Sequence, residues 1–159
     1  MDGLSDAMVI EDTAVLFDFM RRDAAVRQGP AGAVGYCMGG RHALCVAGTF
    51  PQRFKATACL HGTGLVTVDD NSPHLLARRA DGELYCGHAE RDKYATPDVV
   101  ERLERALSGC RVRYQWHVHA GAEHGYAMPD RNVFDQNAAD ADWETIFAML
   151  DRQLRQEKA

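Results

Sequence analysis

No run of lysine and arginine interrupts this chain, although its 159 residues include 18 of the two together. With 23 aspartates and glutamates the net charge is −5. Nucleic-acid binding leaves a basic stripe or patch on a domain, so nucleic acid is not an expected partner. No apolar run approaches the roughly 20 residues of a membrane span, and no membrane contact is expected either. The first residues, Met1-Asp2-Gly3-Leu4-Ser5-Asp6, are acidic and lack the basic start of a secretory signal. The cysteines (Cys37, Cys45, Cys59, Cys86 and Cys110) are odd in number, scattered, and form no Cys-x-x-Cys. That argues against a zinc ribbon or a disulfide framework. Reduced thiols in a cytoplasmic protein are the simplest account, and neither a metal nor a cofactor is expected. Repeats, low-complexity segments and linker-like runs are missing too. The chain therefore reads as one soluble domain able to bury about two-thirds of its unfolded-chain surface.

What is there alternates between helix and strand. Met8–Arg22 has Ile10, Ala14, Phe17 and Met20 at near-helical spacing, with Ser5 or Asp6 as a cap. After the break at Gln28-Gly29-Pro30, Gly32–Tyr36 is a short apolar strand, and a helix runs on to Thr49. Ala56–Leu60 reads as a second strand, and Pro73–Arg79 as a short helix capped by Ser72. Glu83–Gly87 reads as a third strand, with His88–Ala95 as the loop after it. Thr96-Pro97-Asp98 starts a further helix, and Gly109 ends it. Val112, Tyr114, Trp116 and Val118 alternate with Arg111, Arg113, Gln115 and His117, as in a half-exposed strand near a sheet edge. A loop, Ala120–Arg131, leads to a last helix over Phe134–Leu154 with Trp143, Ile146, Phe147, Leu150 and Leu154 on one face. This order predicts an α/β three-layer sandwich with a mostly parallel sheet, about four strands and five helices.

The first strand runs into Gly35-Tyr36-Cys37-Met38-Gly39-Gly40 and then directly into a helix. Strand, tight glycine turn and helix are the context of a nucleophile elbow, with a thiol in place of the hydroxyl. Glycines at 35 and 39 are expected where a side chain would collide with the neighbouring strand or helix. The elbow sets Cys37 at a helix start, where the dipole favours thiolate. It also aims the Met38 backbone N–H at a developing oxyanion. A base and an orienting acid should come from later strand ends, in the order nucleophile, acid, histidine. The third strand is followed by Glu90-Arg91-Asp92, of which either carboxylate could serve, and the fourth by His124-Gly125.

These three stretches, Gly35–Gly40, Gly87-His88-Ala89-Glu90-Arg91-Asp92 and Gly121-Ala122-Glu123-His124-Gly125-Tyr126, resemble the triad motifs of the dienelactone hydrolase family of α/β-hydrolases. The resemblance extends from about Asp12 to Leu154. It implies opening of an ester or lactone of a small molecule by a Cys-His-Asp triad: Cys37 the nucleophile, His124 the base, Asp92 rather than Glu90 the acid. Family members begin with three or four further strands, which flank the nucleophile strand and supply a second oxyanion donor. The chain is thus expected to be the C-terminal part of an α/β-hydrolase fold, truncated at its N-terminus. Its nucleophile strand should then be an open, apolar edge that invites pairing with another chain, as in a homo-oligomer. The alternative to an enzyme is a catalytically incomplete module that assembles or binds.

Three residues are candidates to line the substrate cleft: His61, Tyr126 and Arg131. The first two fit plain packing equally well. His117, His119 and His124 could share a metal ion, with His88 joining them, but a solvent-facing strand and the use of His124 in the triad are the simpler account. Cys45 and Cys59 read as core, Cys86 and Cys110 as structural thiols, and Trp116 and Trp143 as core.

Overall fold

The computed structural model describes residues 3–155. Helix α1 (Asp6–Arg22) starts at Ser5, whose side chain accepts from the Met8 N–H at 3.2 Å. Strand β1 (Ala31–Tyr36) leads through Cys37 into α2 (Met38–Thr49). Then come β2 (Phe54–Leu60), the one-turn α3 (Pro73–Ala77), β3 (Glu83–Arg91), α4 (Pro97–Leu107), β4 (Arg113–Glu123) and α5 (Gln136–Leu154). Ser72 precedes α3 but does not cap it through its side chain; its hydroxyl accepts from the Thr67 N–H instead. At α5, Asp135 does cap, accepting from the Ala138 N–H at 3.0 Å.

All strand pairs are parallel, in the order β1-β2-β3-β4. Helices on both faces make three layers. One face buries Leu44, Val46 and Ala47 of α2, Ala77 of α3 and Leu103 and Leu107 of α4 against Cys59, Leu84 and Cys86 of the sheet. The other buries Ala138, Ala139, Ile146 and Met149 of α5 against Ala56, Ala58, Leu60 and Tyr85. The small residues of β2 let helices close from both sides, so the strand is buried along nearly its whole length. No helix among the described residues is long and apolar enough to cross a membrane.

Three expectations need correction. β3 and β4 reach farther than apolar periodicity indicated, because His88 and Ala89 pair with Val118 and His119. The expected loop from His88 is thus strand as far as Arg91. Trp116 is 40% exposed and Phe147 62%: only Val112 and Tyr114 of the β4 row reach the core beneath α4. And a Cβ at Gly39 would meet open space, whereas one at Gly35 would fall within the Gly39 carbonyl. The second tight position is Gly40, where a Cβ would sit 2.8 Å from the Cys59 sulfur.

Candidate active site

The strands end together, and each end delivers one group. β1 ends at the elbow, where Cys37 takes φ 53 and ψ −119. Such a backbone is costly for a residue with a side chain. It is held by the Cys37 N–H donating to the Leu60 carbonyl at 3.0 Å. The Cys37 carbonyl in turn accepts from the N–H groups of Gly40 and Thr63. Cys37 sits at the N-cap of α2, without a side-chain cap bond. Met38 is the first residue of that helix, and its N–H has no acceptor within the helix.

β3 ends at Arg91, and Asp92 follows with its carboxylate buried. One carboxylate oxygen accepts from the Tyr94 N–H at 2.8 Å. The other lies 2.7 Å from Nδ1 of His124, which follows β4. A carboxylate only accepts, so Nδ1 carries the proton. The opposite ring nitrogen, Nε2, lies 3.3 Å from Sγ of Cys37. Burial pushes the Asp92 carboxyl up, but the hydrogen bonds from His124 and Tyr94 outweigh it and leave it below its ordinary value. The same Asp92 bond, followed by the one to Cys37, holds the His124 imidazolium above its ordinary value against burial. Glu90 goes elsewhere, accepting from the Gly121 N–H at 2.8 Å.

Cys37, Met38 and His124 open onto a cleft of about 1000 Å³, which Arg131 also borders. Tyr126 and His61 do not line it. Tyr126 is fully buried, because its hydroxyl donates to Asp142 of α5. His61 is 1% exposed. It follows β2 with φ 37, which turns its ring inward beneath His124.

Several cleft residues carried no local signal in the sequence. Tyr94 sets its ring 4.8 Å from that of His124, nearly perpendicular. Leu4, Ser5, Asp6 and Ala7 wall the cleft because Asp6 grips Arg41 of α2 with both oxygens, the closest contact being 2.6 Å. Burial raises the Asp6 carboxyl, and Arg41 overrides it, leaving the group below its ordinary value. Only the folded chain brings residues 6 and 41 together. Motif spacing could not have found them.

Of the histidines weighed for a metal ion, His124 is engaged by Asp92 and Cys37, and His117 and His119 lie with ring centroids 4.6 Å apart but in different settings. His119 is buried with Nε2 on Asp142 at 2.6 Å, His117 is exposed, and His88 is fully buried. Among the described residues no group of three His, Cys, Asp or Glu side chains is placed to hold a metal ion. Cys45, Cys59 and Cys86 are buried as expected; burial pushes the Cys45 thiol up to about 12.

Comparison with known proteins bears on the fold and the family. A Synechocystis protein assigned as a carboxymethylenebutenolidase is 23% identical over 157 residues, 97% of this chain and 63% of its own length. A carboxymethylenebutenolidase of Rhodococcus opacus is 28% identical over 127 residues, 77% of this chain and 50% of its own length. A solved Klebsiella pneumoniae structure assigned as a dienelactone hydrolase superposes with a TM-score of 0.82 at 22% identity, covering 92% of this chain and 62% of that one. The chain thus spans between half and two-thirds of the length of these relatives. The profile of the dienelactone hydrolase family matches residues 2–154, and the chain belongs to that family.

Proposed function

We propose that this chain carries the catalytic groups of a hydrolase that opens an ester or lactone bond of a small molecule. The observation that carries the reading is the line from Cys37 Sγ through His124 to Asp92, with steps of 3.3 and 2.7 Å, at the wall of an open cleft. The carboxymethylenebutenolidase of Rhodococcus supports the substrate class.

In this reading the thiolate of Cys37 attacks the acyl carbonyl, and the carbonyl oxygen takes up negative charge. The Met38 N–H, at the positive end of α2, stabilises that oxygen. The tetrahedral species collapses to a Cys37 thioester as His124 protonates the departing alkoxide through Nε2. His124 then takes a proton from water, the hydroxide attacks the thioester, and the acid leaves as the thiol group is restored. Asp92 fixes the ring tautomer and supports its positive charge. Arg131 at the cleft rim bears on substrate choice. The free cysteines support a setting in the reducing cytoplasm.

Hydrolysis of a simple aryl ester, lost in both Cys37→Ala and His124→Ala, is the expected result. Alkylation by iodoacetamide should fall in Cys37→Ala. Equal labelling in that variant puts the reactive thiol elsewhere and overturns the reading.

A second reading is favoured by one observation: β1 lies at the end of the sheet and pairs only with β2 among the described residues. Its outer edge is open to another strand. In that reading the chain is an assembling module, and a second copy pairs along β1.

A further inference from the structure

His61 is expensive in its place. Among the described residues only it and Cys37 combine a side chain other than glycine's hydrogen with a positive φ, 37 and 53. Both nitrogens of its ring are buried without a hydrogen-bond partner. A side chain chosen for packing alone would carry neither burden: an apolar ring would leave no orphaned nitrogens. Strained backbone and unpaired buried polar atoms persist where the surroundings fix them, and they gather at functional sites.

The surroundings do fix them. The His61 N–H donates to the Gly87 carbonyl of β3 at 2.8 Å. Two residues on, the Thr63 N–H donates to the Cys37 carbonyl at 3.2 Å. The turn after β2 therefore ties the elbow to the strand that delivers Asp92. The His61 ring stands nearly perpendicular to that of Tyr126, centroids 5.4 Å apart, and 5.8 Å from that of Tyr36. Tyr126 is itself locked by its hydroxyl on Asp142, which also accepts from Tyr85 and His119. The third neighbour of His61 is His124, at 5.1 Å and 74°. Against the cleft side of His124 stands Tyr94, which is half exposed.

We propose that His61 is a positioning residue: its ring, braced by Tyr126 and Tyr36, forms the rigid inner wall that keeps His124 turned with Nδ1 on Asp92 and Nε2 on Cys37. This rests on the reading of those three residues as the triad. His124 follows directly on β4 and precedes Gly125, at φ 96, so its own backbone does little to hold the ring. Burial, followed by the nearby charge of His124, pushes the His61 imidazole down to about 4. The wall therefore stays uncharged while His124 cycles through its imidazolium.

The test compares His61→Asn, which tolerates positive φ, with His61→Phe, which keeps a ring and removes the nitrogens. The expected result for His61→Asn is a fall in kcat of at least about tenfold on an aryl ester, as for a modest misplacement of a catalytic group. KM should stay within about threefold. The pH profile of Cys37 alkylation by iodoacetamide should shift as the His124 contact loosens. His61→Phe should restore most of kcat. An unchanged kcat and alkylation profile in folded His61→Asn overturns the inference, whatever His61→Phe does. His124→Ala is run beside them: if it retains activity, the triad reading falls and this inference with it. If it is inactive while His61→Asn is unaffected, only the inference falls.

Discussion

Replacing Asp92 by Asn tests which of two neighbouring carboxylates orients His124. The Asp92 carboxylate is buried and lies 2.7 Å from Nδ1. A hydrogen bond to a charged partner contributes about 1.5–3 kcal/mol. If the transition state carries the full imidazolium, losing that support lowers kcat by roughly 10- to 150-fold, at about 1.4 kcal/mol per decade. Asn removes the charge and offers one accepting oxygen to two donors, the Tyr94 N–H and the His124 Nδ1–H, so the charge-based range is the least loss expected. KM should change little, because Asp92 sits behind His124 and is absent from the cleft wall. Glu90→Gln is the internal control. Its carboxylate holds the Gly121 N–H at the surface, 2.8 Å away, and its loss should alter kcat by less than about twofold. Steady-state hydrolysis of an aryl ester, normalised to thiol titrated by iodoacetamide, reads both. Equal activity of Asp92→Asn and wild type, or a larger loss in Glu90→Gln, refutes the assignment of the acid.

The same pair makes stability depend on pH. His124 is held above its ordinary 6.5, so its contribution is complete below 6.5 and is lost as pH rises through the folded value. Asp92 is held below 3.8, so its contribution is present above 3.8 and is lost as pH falls through the folded value. The Tm difference between wild type and Asp92→Asn should therefore peak near about pH 5–6 and shrink towards pH 8; growth towards pH 8 contradicts the pairing. His61, depressed to about 4, destabilises the fold as pH drops below 6.5, which is why a difference between variants is the quantity to measure. At the elbow, Gly35→Ala should destabilise by more than about 3 kcal/mol in urea, since backbone lies on both sides of the clash, while Gly39→Ala should change stability by less than about 1 kcal/mol. If β1 pairs with a second copy, light scattering should report a dimer that a proline in place of Val34 dissolves, because the N–H groups of Ala31 and Cys37 donate to β2 and alternation turns that of Val34 to the open edge; a monomer at all concentrations refutes the pairing.

The sequence displayed its fold through local signals and hid what depends on distance. Ser5, Pro97 and the glycine turns marked element ends because capping, the fixed φ of a first-turn proline and positive φ are local requirements, although the Thr96 side chain makes no cap bond. The elbow was legible for the same reason: Gly35, Cys37 and Gly40 meet within one turn. The segments that carry Asp92 and His124 were legible because topology places the ends of parallel strands side by side; the preference for Asp92 over Glu90 came from the family resemblance. Periodicity failed at the ends of β3 and β4, where His88 and His119 are buried polar residues that read as loop or solvent-facing. Asp142 passed as one more charge on α5, yet it is fully buried and collects three donors from β3, β4 and the loop beyond. A buried carboxylate is recognised by its partners, and those lie 16 to 57 residues away along the chain.

That buried carboxylate also explains how the cleft floor is packed. Gly87 has no room for a Cβ: it would lie 2.7 Å from both Asp142 oxygens. The missing side chain on β3 lets Asp142 approach the sheet, and Asp142 then fixes Tyr85, His119 and Tyr126 at once. Tyr126 supports His61 and His61 supports His124, so a helix on the far face of the sheet bears on the reacting group through packed rings. The rim is built otherwise. Tyr94 and Arg131 stand on loops, and the start of α1 is held across the cleft chiefly by the Asp6–Arg41 ion pair. Chemistry needs its groups fixed to within about 0.5 Å, whereas substrate entry needs a wall that yields. The division of labour between a packed floor and a tethered rim meets both demands in one chain.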